Sequence, residues 1–150
     1  MKSRVRRILV GAYSILVGIL FFIMQTSKLF RVETAELEMA EMPFGRFDWG
    51  FMWADTLVAG PLLVIGGIFY VFRNRWKSYI GGLLIFSGFT VNLYAMIFFI
   101  IGLQAAGHPM AASEFIVNLI FTLLGIMCMI SIAVDALRKD QIFINSFPAG

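Results

Sequence analysis

Four polar side chains at the ends of apolar runs are the candidates for chemistry in this sequence. Asp55 lies one turn inside an apolar run, His108 lies in a short polar connection, and Glu114 and Asn118 begin the next apolar run. A carboxylate within an apolar run is costly unless it is paired, protonated or facing water, so it is a functional hypothesis by default. These side chains can form one polar cluster if the runs are helices ending at the same level.

Three interpretations of this cluster are open. Asp55 can cap its helix or pair with a cation of the preceding connection, which requires no ligand. It can also line a cavity for a lipid or small molecule together with Asn92 and Asn118. As a third alternative, Asp55, His108 and Glu114 can serve an enzyme at the outer membrane face.

Metal and cofactor sites find little support in the sequence. One histidine with two distant carboxylates is a weak signal compared with ligands at fixed spacing. GxxxxGK[ST], GxSxG and HExxH motifs do not occur, and the single histidine excludes a bis-histidine haem site within the chain. We therefore predict no catalytic residue, no metal and no cofactor.

Composition determines which elements position these residues. Hydrophobic residues make up 60% of the chain and the mean hydropathy is +0.87, well above the values of soluble domains. We predict a single all-α domain over residues 1–150, an integral membrane four-helix transmembrane bundle. The expected spans are residues 8–24, 51–72, 78–103 and 114–136.

The distribution of charge predicts the orientation. The turn Arg73-Asn74-Arg75-Trp76-Lys77 joins the second and third spans, and nine of the twelve cations fall on its side of the four-span arrangement. Cytoplasmic loops carry the Lys/Arg excess, so both termini are expected in the cytoplasm, with the bacterial cytoplasmic membrane as the location. The first run is longer than a signal-peptide core and is expected to remain as a helix. These cations indicate topology rather than a nucleic-acid partner.

Residues 25–50 form the one long polar connection and are rich in acids. Within it Val32, Ala35, Met39 and Met42 recur on one face of a helix, while glutamates occupy the other faces. We predict a short amphipathic helix in this first outer loop.

Small residues recur at helical spacing on three spans. In lipid such residues allow close backbone approach, and interhelical hydrogen bonds add to the association. Asn92, Asn118 and Thr122 can therefore be packing groups rather than ligands. The predicted packing positions are Gly11, Ser14, Gly18, Gly81, Gly88, Ala95, Gly102 and Gly125.

Asp135 and Cys128 receive structural interpretations. Asp135 lies three and four residues before Arg138 and Lys139, so a local ion pair within one helix is expected. Cys128 is the single cysteine, which excludes an intrachain disulfide.

Part of the sequence resembles DoxX-type four-helix membrane proteins. The resemblance lies in the basic start, Ser27-Lys28-Leu29-Phe30 at the end of the first span, and Gly66-Gly67 followed by Arg73. It covers about half of the chain and implies a four-helix membrane fold. The family's glycine before the lysine is replaced here, and Asp55 lies earlier than the family's glutamate, so we do not assign membership.

These patterns favour a non-catalytic protein. The leading prediction is an assembly, accessory or regulatory component of a membrane system, with the bilayer and either other subunits or further copies of the chain as partners. The alternatives are lipid or small-molecule binding or transport by an oligomer, and an outer-face membrane enzyme.

Overall fold

The computed structural model describes residues 2–29, 53–72, 74–105 and 112–144, and these are helical except at residues 72 and 74. The expected all-α class is confirmed for these residues. Three of the helices are long and apolar enough to cross a membrane, and a shorter apolar helix lies between the first two. The amphipathic helix predicted around Val32, Ala35, Met39 and Met42 falls outside the described residues, whereas residues 25–29 of the predicted loop continue the first helix. The elements are α1 (Lys2–Leu29), a π-helical segment (Asp55–Ala59), α2 (Gly60–Val71), α3 (Arg75–Ala105) and α4 (Ala112–Ile144).

The three long helices extend beyond the apolar runs that predicted them. α1 includes the basic start of the chain, and α4 continues to Ile144, past the predicted end at residue 136. α3 begins at Arg75 because Asn74 caps it: the backbone N–H groups of Trp76 and Lys77 donate to Asn74 Oδ1 at 3.0 and 3.2 Å. Hydropathy reports only the part of a helix that suits hydrocarbon, so it underestimates helix length.

The helix between α1 and α3 is widened near its start. The Gly60 N–H donates to the carbonyl oxygen of Asp55, five residues earlier, instead of to the residue four earlier. Pro61 follows directly at the start of α2. Proline has no N–H and its ring collides with the carbonyl four residues before it, so a departure from regular α-helix is expected next to Pro61.

α2 is the central element of the fold. It packs extensively on α1 and on α3, whereas α4 packs mainly on α3 and touches α1 at few points. The adjacent residues Gly66 and Gly67 serve opposite neighbours. A Cβ on Gly67 would lie 2.7 Å from the Gly11 carbonyl oxygen of α1, and a Cβ on Gly66 would lie 3.0 Å from the Gly81 carbonyl oxygen of α3. The three helices therefore meet backbone to backbone.

Two more of the glycines named as packing positions also lie close to a neighbouring helix. A Cβ on Gly18 would lie 2.7 Å from the Gly60 carbonyl oxygen, and one on Gly88 would lie 2.9 Å from the Leu63 side chain. Ser14 is fully buried, but its hydroxyl donates to the Val10 carbonyl of its own helix at 2.8 Å. The hydroxyl is therefore satisfied within α1, as is common for serine in membrane helices. Ala95 is buried, and Gly125 faces the Phe89 ring; Gly102 is described only as helical backbone.

The apolar core lies along α2. Leu63 and Ile85 are fully buried, Val17 and Phe89 nearly so, and α4 contributes Cys128 and Ile132. The ring of Tyr13 stacks on Phe89 with centroids 5.9 Å apart. The core thus joins all four helices, with α4 at its margin.

Candidate functional site

Asp55 lies inside the bundle. It is 8% exposed and belongs to the π-helical segment, which contacts both α1 and α3. Wide turns of this kind often occur at functional positions because they shift the register of the side chains that follow. Asp55 is therefore buried among the helices of the protein.

The rest of the predicted cluster is only partly described. Asn118 is half-buried on α4, whereas the side chain of Glu114 and the whole of His108 lie outside the described residues. The grouping of Asp55 with these three residues therefore stays a prediction.

Asn92 borders a small pocket between α3 and α4. The pocket holds about 10 Å³ of space, which is room for roughly one water molecule. Asp55 and Asn118 are not among its walls, so it does not unite the candidates for ligand binding. Its lining residues are Phe89, Asn92, Leu93, Phe121, Thr122, Gly125, Ile126 and Met129.

Among the described residues, a second polar cluster lies at the end of the bundle away from Asp55 and includes Arg7. Its Nη2 donates to the carbonyl oxygens of Tyr70 and Phe72 at 2.7 and 2.8 Å, and also to Ser78 Oγ. The last carbonyls of a helix lack partners within the helix and carry partial negative charge. Arg7 therefore closes the end of α2 and joins α1 to the first turn of α3, where Ser78 is 1% exposed.

Asp135 of α4 completes this cluster through two other helices. Its Oδ1 forms an ion pair with Arg6 of α1, and its Oδ2 accepts a hydrogen bond of 2.9 Å from the Tyr70 hydroxyl of α2. The Asp135 side chain is 10% exposed and that of Arg6 is 32% exposed. We call Arg6, Arg7, Tyr70, Ser78 and Asp135 the inner polar cluster.

The interactions of the inner polar cluster join different helices to one another. Both carboxylate oxygens of Asp135 are occupied by groups from other helices, and the Arg7 guanidinium lies over the Tyr70 ring at 5.4 Å from its centroid. Within the described ranges no group of three histidine, cysteine or acidic side chains is placed to hold a metal ion.

The spacing of charges in the sequence does not predict this cluster. A local pair of Asp135 with Arg138 or Lys139 was expected, but the ion pair that the structure shows is with Arg6 of the first helix. The side chains of Arg138 and Lys139 are outside the described part of the chain. A usable signal was present, because the acid of the last span and the arginines of the first fall at the same depth when the helices alternate in direction.

The contacts at this end bring together the start of α1, the end of α2, the start of α3 and the C-terminal half of α4. Consecutive helices therefore run in opposite directions. No family model, curated protein or solved structure matches this chain.

Proposed function

We propose that this chain is a non-catalytic membrane subunit that assembles with other membrane-spanning helices through α4. In this arrangement all four helices cross the membrane, α2 as a short span, and the inner polar cluster lies at the cytoplasmic side of a bacterial cytoplasmic membrane. The observation that carries the proposal is how little of the apolar span of α4 is buried against the described part of the chain.

The exposure of α4 distinguishes it from the other long helices. Only 17% of its apolar span is buried, compared with 28% for α1 and 33% for α3. Its exposed side chains lie all around the outer half of the helix, because they include consecutive positions and not one stripe. The large apolar side chains concerned are Phe115, Ile116, Val117, Leu119, Ile120, Phe121, Leu123 and Leu124.

Few points hold α4 to the first helix. The Tyr13 hydroxyl donates to the Phe121 carbonyl oxygen at 3.2 Å, and Asp135 pairs with Arg6 nearer the inner end. Between Phe115 and Ile120, on the outer side of Phe121, only Asn118 is half-buried. A helix anchored at one end and uncovered at the other suits lateral association in the membrane, where packing and polar contacts between helices supply the affinity.

The other two interpretations gain less from the geometry. The pocket at Asn92 has room for about one water molecule and does not reach Asp55. In the inner polar cluster both carboxylate oxygens of Asp135 already have partners, Arg6 and Tyr70. The assembly function is therefore the one that the geometry supports best.

Photocrosslinking tests this function with a matched pair of positions. Ile120 on α4 and Ile97 on α3 are both isoleucines, are both 52% exposed, and both lie in the outer part of their helices. A photoreactive amino acid at Ile120 is expected to give a protein adduct in native membranes. The same photoreactive amino acid in place of Ile97 is expected to crosslink to lipid only.

The mass of the Ile120 adduct identifies the partner class, since a doubled mass means a second copy and any other mass means a different subunit. Protein adducts of equal yield at both positions, or at neither, would contradict assembly through α4.

Reporter fusions test the orientation. The cationic turn is expected on the cytoplasmic side. A reporter inserted after Lys77 should therefore give a cytoplasmic signal. A reporter after Glu41 should read the opposite side. A cytoplasmic signal at Glu41 would refute the four-span arrangement.

A further inference from the structure

We propose that the inner end of this protein carries a binding site for the head group of an anionic phospholipid, formed by Arg4, Trp76 and Lys77. The site is separate from the exposed face of α4. Its ligand is a phosphodiester with net negative charge, as in phosphatidylglycerol.

The first step is to separate the cations that the fold uses from those that it leaves exposed. Arg6 is paired with Asp135, and Arg7 is bound to the carbonyl oxygens of Tyr70 and Phe72. Arg4 and Lys77, in contrast, are exposed. The inner polar cluster thus neutralises the one carboxylate described at this end, and among the side chains that the structure describes Arg4 and Lys77 are the cations left exposed.

The second step is their placement. Arg4 lies three residues before Arg7, so both lie on one side of α1 and Arg4 is about 4.5 Å farther toward the inner end. Lys77 directly precedes Ser78, which accepts a hydrogen bond from Arg7, and so lies about 1.5 Å farther in the same direction. The bonds of Arg7 therefore bring the two exposed cations to the same junction between α1 and α3.

The third step is the surroundings of Lys77. Its Nζ lies over the Phe72 ring at 5.0 Å from the centroid, which holds the ammonium group beside the turn. Trp76 is 75% exposed, and an exposed tryptophan at a helix end is typical of the head-group layer. Its backbone N–H is already bound by Asn74, so the recognition depends on the side chains.

Charge complementarity identifies the occupant. Two exposed cations, beside a carboxylate already neutralised and a tryptophan at the head-group layer, attract anionic lipid heads, and each cation near the surface strengthens binding by about fivefold. A zwitterionic head group carries its own ammonium group and gains much less. The phosphate of a phospholipid lies in the head-group layer, which is the level expected for Trp76, Arg4 and Lys77.

The test uses the fluorescence of Trp76 in the full-length chain. Trp49 and Trp53 are replaced by phenylalanine, and the protein is reconstituted in vesicles of phosphatidylcholine mixed with phosphatidylglycerol, one of the two lipids being brominated. Brominated phosphatidylglycerol is expected to quench Trp76 more strongly than brominated phosphatidylcholine at equal mole fraction. In the variant Arg4→Gln/Lys77→Gln the preference should fall by between about fivefold and about thirtyfold.

The matched control is Arg4→Lys/Lys77→Arg, which keeps both charges and should keep the preference. Equal quenching by the two lipids in the parent protein would overturn the proposal. Persistence of the preference in the glutamine variant, or its loss in the charge-preserving variant, would overturn it too. Helix content measured by circular dichroism in the same vesicles verifies that each variant is folded.

Discussion

Asp135→Asn is expected to lower the free energy of unfolding by about 3 kcal/mol, because it removes one partner of a buried ion pair. The substitution leaves the Arg6 guanidinium without its counter-ion, although asparagine can still accept from Tyr70. The value is at the lower end of the usual range because the Arg6 side chain is 32% exposed and can shift toward water. Unfolding in mixed detergent micelles, followed by circular dichroism, measures the change.

The double variant Arg6→Gln/Asp135→Asn provides the decisive comparison. It removes both charges and keeps two polar side chains, so it should be clearly more stable than the single variant Asp135→Asn. Tyr70→Phe, which removes only the hydrogen bond to Asp135, should cost about 1 kcal/mol. Strictly additive effects of Arg6→Gln and Asp135→Asn would show that the two side chains do not interact.

Gly81→Ala is expected to destabilise the protein by about 3 kcal/mol or more. The added Cβ would lie 2.3 Å from the Tyr70 backbone nitrogen and 2.7 Å from the Gly66 carbonyl oxygen. Backbone atoms cannot rotate away, so α2 and α3 would have to separate along their closest contact. The same unfolding measurement reports the loss.

Gly82→Ala is the matched control because it adds the same methyl group one residue later. Its nearest neighbours would be Ile132 Cγ2 at 3.1 Å and the Tyr70 ring at 3.4 Å, which are the ends of side chains. These can adjust, and alanine favours the helix over glycine by up to about 1 kcal/mol. We expect little net change, and equal losses at the two positions would contradict backbone contact at Gly81.

Together these results would separate two ways of holding one bundle. The glycines of α1, α2 and α3 bring backbones together along the apolar region, whereas the inner polar cluster fastens α4 at one end. The glycine variants are expected to destabilise the whole bundle, whereas Asp135→Asn is expected to detach α4 first. Crosslinking from Ile120 should therefore change more in Asp135→Asn than in the glycine variants. That outcome would show that the inner polar cluster controls the position of the proposed assembly surface on α4.

The apolar runs of the sequence were enough to predict a helical fold and the approximate positions of its helices. A backbone in hydrocarbon must satisfy its own hydrogen bonds, so long apolar runs become helices whatever else they contact. The prediction of an all-α chain is therefore confirmed for the described residues, and Pro61 lies directly after the widened turn. Helix ends were less accurate, because Asn74 and the basic start lie where hydropathy no longer reports helix.

The contacts between residues of different helices could be read only from the folded arrangement. Small-residue spacing does not say that Gly66 faces α3 while its neighbour Gly67 faces α1, because that depends on how the helices are arranged around α2. Nor could spacing show that Asp135 pairs with Arg6 and Tyr70. Local patterns favoured the cations three and four residues away, whereas the fold brings the first and last helices to the same depth. The partner of a charged group in a helical membrane protein is a property of helix packing, and packing acts between residues far apart in the chain.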